Sequence, residues 1–226
     1  MAATGPSPYP YVPTTALLIV DAQNDFCDPA GSLSVAGAAE AITTINAHVA
    51  AAGAAGAPVF LTADWHPPVT PHFVTGGGRW PVHCVAGTWG ARFVEALHVP
   101  PGAVVVRKGV GGEDGYSGFG ARVVGKARGG EGEEGGQGDG EKEATDGGGR
   151  EGDLVDTGLA AALTTRNVTA LVVVGVAGDV CVRATALDAR ARGWPVTLPR
   201  GGVAYVDPTA VGRVERELTA AGVTLV

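Results

Sequence analysis

The stretch Ala170-Leu171-Val172-Val173-Val174-Gly175-Val176-Ala177-Gly178-Asp179-Val180-Cys181-Val182 holds an apolar run, a glycine-containing turn and the start of a helix in immediate succession. The run is apolar at odd and even positions alike, whereas a strand with one wet face would alternate. It therefore reads as a strand buried between two layers. Outward from it, similar runs recur at Ala16–Val20, Pro58–Thr62, Ala103–Arg107 and Pro195–Leu198, with a short one at Gly222–Val226. Helical stretches lie between them. Gly37–Ala54 carries Ile42, Ile45, Val49 and Ala52 at three- and four-residue steps, Asp179–Arg192 and Pro208–Ala221 behave similarly, and a further helix is expected near Asp156–Arg166. Alternation of strand and helix predicts an α/β fold: a three-layer sandwich around a mostly parallel, doubly wound sheet of about six strands.

The chain has 226 residues, 45% of them apolar, and a formal charge of −7. Residues 125–152 stand apart, with 12 glycines, 8 acids and 4 bases in 28 positions and no apolar side chain larger than alanine. Such a composition cannot join a core. It reads as a Gly/Glu-rich low-complexity insertion in a single domain spanning 1–226. The remaining body is nearly neutral and offers none of the basic surface that nucleic acid binding requires.

No apolar run approaches the roughly 20 residues that span a bilayer, so no membrane partner is expected. Met1–Thr15 holds six Pro or Tyr residues, no Lys or Arg and no apolar h-region, unlike a secretory signal. Three cysteines, Cys27, Cys84 and Cys181, form an odd set that suits a reducing compartment. An intracellular, cytoplasmic location is the expectation.

In open parallel sheets ligands sit beyond the carboxyl ends of the strands, so the residues following each strand are the informative ones. Here they are Asp21, then Asp64-Trp65-His66, then Arg107-Lys108, then the turn leading to Cys181. With Asp179 as N-cap, Cys181 falls in the first helical turn, where free amides and the helix dipole favour a thiolate and can hold an oxyanion. A cysteine among valines is also an ordinary small core residue. Asp21 needs a cation or donors, and Lys108 can be that cation. Taken together, thiol, acid and ammonium are the groups amide hydrolysis requires.

Three of the five histidines, His66, His72 and His83, fall within 18 residues, close to Asp64. One oxygen and three nitrogens suit a divalent zinc, iron or manganese with open positions for water or substrate. His48 and His98 are expected on helices, facing solvent.

These residues resemble the isochorismatase-like hydrolase superfamily and, within it, the nicotinamidases (pyrazinamidases). The resemblance is carried by Val20-Asp21-Ala22-Gln23-Asn24-Asp25-Phe26, Gly31-Ser32-Leu33, Asp64-Trp65-His66-Pro67, Trp80-Pro81-Val82-His83-Cys84-Val85-x-Gly87, Lys108-Gly109, Asp114-Gly115-Tyr116-Ser117-Gly118-Phe119 and Asp179-Val180-Cys181-Val182. It implies a small-molecule substrate, nicotinamide or pyrazinamide, hydrolysed in pyridine nucleotide salvage. It further implies Asp21, Lys108 and Cys181 as catalytic residues, and Asp64, His66, His72 and His83 around one divalent metal, zinc in the first place. The backbone amides of Ala177 and Cys181 would hold the oxyanion, with a cis peptide before Ala177, and Phe26, Trp80 and Tyr116 would wall the ring. Whether the chain forms a homo-oligomer is left open.

Gly178 stands where such hydrolases commonly have Thr or Ser, so a looser turn beside the nucleophile is expected. A related amidase acting on a carbamoyl or ureido compound is the competing enzyme reading, and bound metal argues against it. A non-catalytic binding protein would have no physical need for thiol, lysine and acid together. Dinucleotide binding fails for want of a Gly-x-Gly-x-x-Gly after the first strand.

Overall fold

The computed structural model describes residues 9–122 and 154–226; the expected insertion at 125–152 lies outside the described residues. Six strands form one sheet: β1 (Thr15–Val20), β2 (Val59–Asp64), β3 (Val104–Lys108), β6 (Ala170–Gly175), β7 (Val196–Leu198) and β8 (Thr224–Leu225). Their order is β3-β2-β1-β6-β7-β8 and every pair is parallel. A short antiparallel pair, β4 (Gly120–Arg122) and β5 (Leu154–Asp156), stands beside it. The helices are α1 (Asn24–Cys27), α2 (Ala38–Ala54), α3 (Leu159–Thr165), α4 (Cys181–Ala191) and α5 (Val211–Ala220).

The pleat explains why the central strands are apolar throughout. Leu17 and Ile19 of β1, with Val172 and Val174 of β6, point to the face covered by Ile42, Ile45 and Val49 of α2. Their neighbours Ala16, Leu18, Val20, Leu171 and Val173 point the other way, against Leu159 and Leu163 of α3, Val182 and Ala186 of α4 and Val214 and Leu218 of α5. Three layers result, as the patterning requires. Gly175 ends β6 at φ 122°, and a Cβ there would sit 2.0 Å from the carbonyl of Val20, so the two central strands close only over a glycine.

Several sequence expectations shift. β3 is an edge strand, not one buried on both faces: Val105 is 47% exposed, and Arg107 lies 3.8 Å over the ring of Trp65. The helix expected from Asp156 begins at Leu159, because Asp156 pairs with Gly120 in the β4–β5 ribbon. His48 is on α2 but fully buried, its Nδ1 2.9 Å from the Tyr11 hydroxyl, and burial lowers its pKa. His98 is exposed but belongs to no helix. Among the described residues no helix is long and apolar enough to cross a membrane.

β1, β2 and β3 run out from the sheet centre on one side and β6, β7 and β8 on the other, so the order reverses between β1 and β6. The carboxyl ends diverge there and leave a crevice. Truncating a central side chain should cost far more than altering the edge. Leu171→Ala, at a fully buried position, is expected to lower the unfolding free energy by about 2–5 kcal/mol. Val105→Thr should change it by less than about 0.5 kcal/mol, both read from denaturant unfolding curves.

Candidate active site

The crevice gathers residues from four strand ends. Asp21 follows β1, Asp64 ends β2, Lys108 ends β3 and Cys181 opens α4 after the turn from β6. All four are buried. Lys108 Nζ lies 2.7 Å from Asp21 Oδ2, 2.5 Å from Asp64 Oδ1, 2.5 Å from the Gly115 carbonyl oxygen and 3.5 Å from Cys181 Sγ. Thr62, one pleat back on β2, donates its hydroxyl to Asp21 Oδ1 at 2.7 Å. The expected acid, ammonium and thiol are thus one contiguous group.

Burial and charge set the protonation states in this group. Burial drives the Asp21 carboxyl up to about 6, against the pull of Lys108. Burial acts on Asp64 in the same direction, but Lys108 and the neighbouring His66 and His83 outweigh it and hold Asp64 below the usual carboxylate range. Lys108 stays an ammonium, because the two carboxylates overcome its desolvation. Cys181 differs from expectation. It does open the helix, but burial and the carboxylates of Asp21 and Asp64 outweigh Lys108 and raise its pKa well above the ordinary thiol value. The resting group is a thiol, so its proton must leave before it can attack, and Asp21 is the acceptor at hand.

The turn before Cys181 also departs in detail. Val180, not Asp179, occupies the N-cap position; the Asp179 carboxylate instead accepts the amides of Val206 and Asp207 at 3.0 and 2.9 Å. The Ala177 carbonyl accepts the amides of Val180 and Val182, both at 3.0 Å, and the Val176–Ala177 peptide is cis. Among the described residues, neither the Ala177 nor the Cys181 amide donates to a backbone carbonyl, so both are free for an incoming oxyanion. At Gly178 the ring of Tyr205 fills the space a side chain would take.

Asp64 also faces the histidines. Its Oδ2 lies 3.7 Å from His66 Nε2 and 3.8 Å from His83 Nε2. A ligand nitrogen from each of His66, His72 and His83 falls within 4.8 Å of the others. His83 Nδ1 is 2.7 Å from the Pro81 carbonyl and His72 Nδ1 is 3.2 Å from Asp114 Oδ1, which leaves their Nε2 atoms for the centre. Burial lowers His83 to about 4, so it stands neutral with a lone pair to offer. Both ring nitrogens of His66 are buried without a hydrogen-bond partner, a costly arrangement for imidazole unless a ligand or ion completes it. The donor set fits a divalent metal.

Between the thiol and the histidines lies a pocket lined by Phe26, Trp80 and Tyr116 together with Leu33, Val180 and Val206. Trp80 Nε1 donates to the Tyr116 hydroxyl at 2.9 Å, which fixes both rings as a wall. Sequence reasoning missed two supports. The Gln23 side chain donates to the Asp64 carbonyl at 2.7 Å and accepts its amide at 2.8 Å, gripping the backbone that carries the shared carboxylate. Asp25 accepts the amides of Ser32 at 3.1 Å and Cys84 at 2.7 Å, which ties down the loop bearing His83. A polar Gln-Asn-Asp run directly after a buried strand was the available signal. Val206 had none.

Known proteins share both fold and sequence with this chain. Residues 15–122 and 152–225 match the family described as the isochorismatase domain. A nicotinamidase of Acinetobacter baylyi is 32% identical over 196 residues, covering 79% of this chain and 75% of that protein. The crystal structure of the pyrazinamidase of Pyrococcus horikoshii in complex with zinc superposes with a TM-score of 0.75 at 33% identity, covering 95% of this chain and 99% of the other. That of PnC1 from L. infantum in complex with nicotinate gives 0.75 at 35% identity, covering 95% and 92%. Sheet order, strand-end residues and these likenesses lead to one assignment: the chain belongs to the isochorismatase-domain family of hydrolases.

Proposed function

We propose that the chain hydrolyses nicotinamide to nicotinate and ammonia. The observation that carries this reading is Lys108, whose ammonium joins Asp21, Asp64 and Cys181 and so connects a nucleophile to a histidine cluster beside one pocket. Asp21, Lys108 and Cys181 are the catalytic residues. Asp64, His66, His72 and His83 would hold a divalent ion, zinc by preference. Bound there, the ion would supply an open position for a pyridine nitrogen and so set the place of the carboxamide at the far end of the ring.

The protein's own groups account for the bond changes. Cys181 passes its proton to Asp21 as sulfur attacks the amide carbon, and the amides of Ala177 and Cys181 receive the developing oxyanion. Asp21 returns that proton to the departing nitrogen, ammonia leaves and a thioester remains. Water then gives a proton to Asp21 as its oxygen attacks the thioester, and Cys181 recovers a proton as it leaves. Lys108 stays charged throughout and balances whichever partner is anionic. Phe26, Trp80 and Tyr116 keep the flat ring in line.

The domain reading is also a proposal. We infer a single domain over 1–226 with an insertion at about 125–152. It is supported by the pairing of β4 with β5, which brings the flanks together, and by the gap in the family match at 123–151. All three cysteines are free and buried, which agrees with a cytoplasmic setting.

The direct test is ammonia release from nicotinamide, with Cys181→Ala as a control expected to lose at least a thousandfold in kcat. A chelator should abolish activity and a divalent ion restore it. Benzamide has the ring and carboxamide but no ring nitrogen, and should fall at least a hundredfold below nicotinamide in kcat/KM. Equal turnover of the two amides would remove the ring nitrogen from the account. Because Asp21 must be ionised to accept the thiol proton and titrates at about 6, kcat/KM should decline below pH 6 with a slope of one proton. Replacing residues 128–150 by a short Gly/Ser linker should leave kcat/KM within about twofold and the melting temperature nearly unchanged.

A further inference from the structure

Residues 203–207 run beside the catalytic turn and meet it repeatedly. Val203 bridges Gly175 in parallel register, the Gly178 amide donates to the Ala204 carbonyl at 2.7 Å, and the Asp179 carboxylate takes the amides of Val206 and Asp207. Val206 itself lines the substrate pocket. At the middle of this strap is Tyr205, half-buried, with its ring against Gly178. A Cβ on Gly178 would lie 2.6 Å from both Cε1 and Cζ of that ring and 2.7 Å from Val203 Cγ1. Gly178 does not have a positive φ, so space and not backbone conformation demands the glycine. Gly178 directly follows Ala177, whose amide is free for the oxyanion, and precedes Cys181 by one tight turn.

We propose that Tyr205 is a positioning residue for the reaction: its ring occupies the side-chain space above Gly178 and holds the Ala177–Cys181 turn where its two free amides converge, so that Gly178 and Tyr205 act as one coupled pair. This rests on the nicotinamide-hydrolysing reading and extends it to a residue outside the pocket. Backbone donors stabilise an oxyanion only when aimed in advance. The hydrogen bonds of the strap fix the turn along its length, whereas the ring, with Val203 Cγ1 beside it, limits its displacement toward the strap.

A double-mutant cycle tests the pair. Tyr205→Ala should lower kcat ten- to a hundredfold with KM within threefold, since displacements of about 1 Å cost that much and the ring-binding wall is untouched. Gly178→Ser alone should lose at least tenfold, because its side chain cannot coexist with the tyrosine. In a Val203→Ala background, which clears the other atom a new Cβ would meet, the combined Gly178→Ser, Tyr205→Ala variant should recover at least tenfold over Tyr205→Ala, and Tyr205→Phe should keep what the alanine variant loses. Rates are expressed per folded molecule, taken from the amplitude of each variant's cooperative unfolding transition, which removes any change in folded fraction. Tyr205→Leu replaces the alanine variant in the cycle if the latter does not fold.

A role confined to stability would lower the melting temperature and leave kcat per folded molecule unchanged, overturning the proposal. Additive losses in the cycle would overturn it as well. If the native chain released no ammonia from nicotinamide, the functional reading would fall. Coupling would still be read from the rate of Cys181 alkylation in the same variants, which should show the same non-additivity.

Discussion

A single ammonium buried at the end of β3 organises the catalytic crevice. Lys108 has no exposed side-chain surface, so its charge must be met by protein groups, and an unpaired ion at that depth would cost several kcal/mol. Its neighbours answer this demand from three directions: a carboxylate from β1, another from β2 and the carbonyl of Gly115. Each neighbour is then held in turn. Thr62 secures Asp21, and Gln23 grips the backbone of Asp64. The order of β3, β2 and β1 in the sheet is what brings these side chains to one charge, since neighbouring parallel strands end side by side.

The opposed shifts of the two carboxylates follow from what lies beyond the lysine. Asp21 faces a thiol and a threonine, groups without charge, and burial dominates it. Asp64 has imidazoles on its far side as well as the lysine, so its anion is favoured from both directions. Two acids of one type, a few ångströms apart, are thereby separated into one that can take up a proton near neutrality and one that stays ionised. The ionised one is also what connects the two halves of the site. Any ion held by the histidines would share an oxygen donor with the residue that balances Lys108.

Much of this was legible in the sequence because it depends on local patterns. Uninterrupted apolar runs revealed the central strands, and the polar residue after each run revealed the crevice. The three clustered histidines pointed to the imidazole group, which the structure brings together. Other features depend on partners distant in the chain and were not legible. An apolar run does not say whether it lies at the middle or the edge of a sheet, so β3 was misjudged. His48 has the spacing of a solvated helix residue, whereas Tyr11 packs against it. Asp179 has the chemistry of an N-cap, yet its acceptors are used by a strap nearly thirty residues further along. Gly178 suggested slack because its side chain is missing, while the volume is supplied by Tyr205.

The central strand pair also governs when during folding the crevice is assembled. β1 closes on β6 with Thr15 opposite Ala170, so Asp21 and Cys181 come from segments separated by most of the chain. Contacts over such separations form late, since the entropy of closing the intervening loop has to be overcome before they contribute. A growing chain on the ribosome can assemble β1, α2 and β2 early and bury much of one core face. It has no thiol next to Asp21 until β6 has inserted between β1 and the strands that follow. Cys181 therefore remains apart from Asp21 through most of synthesis, until β6 docks on β1 and the sheet has only β7 and β8 still to add.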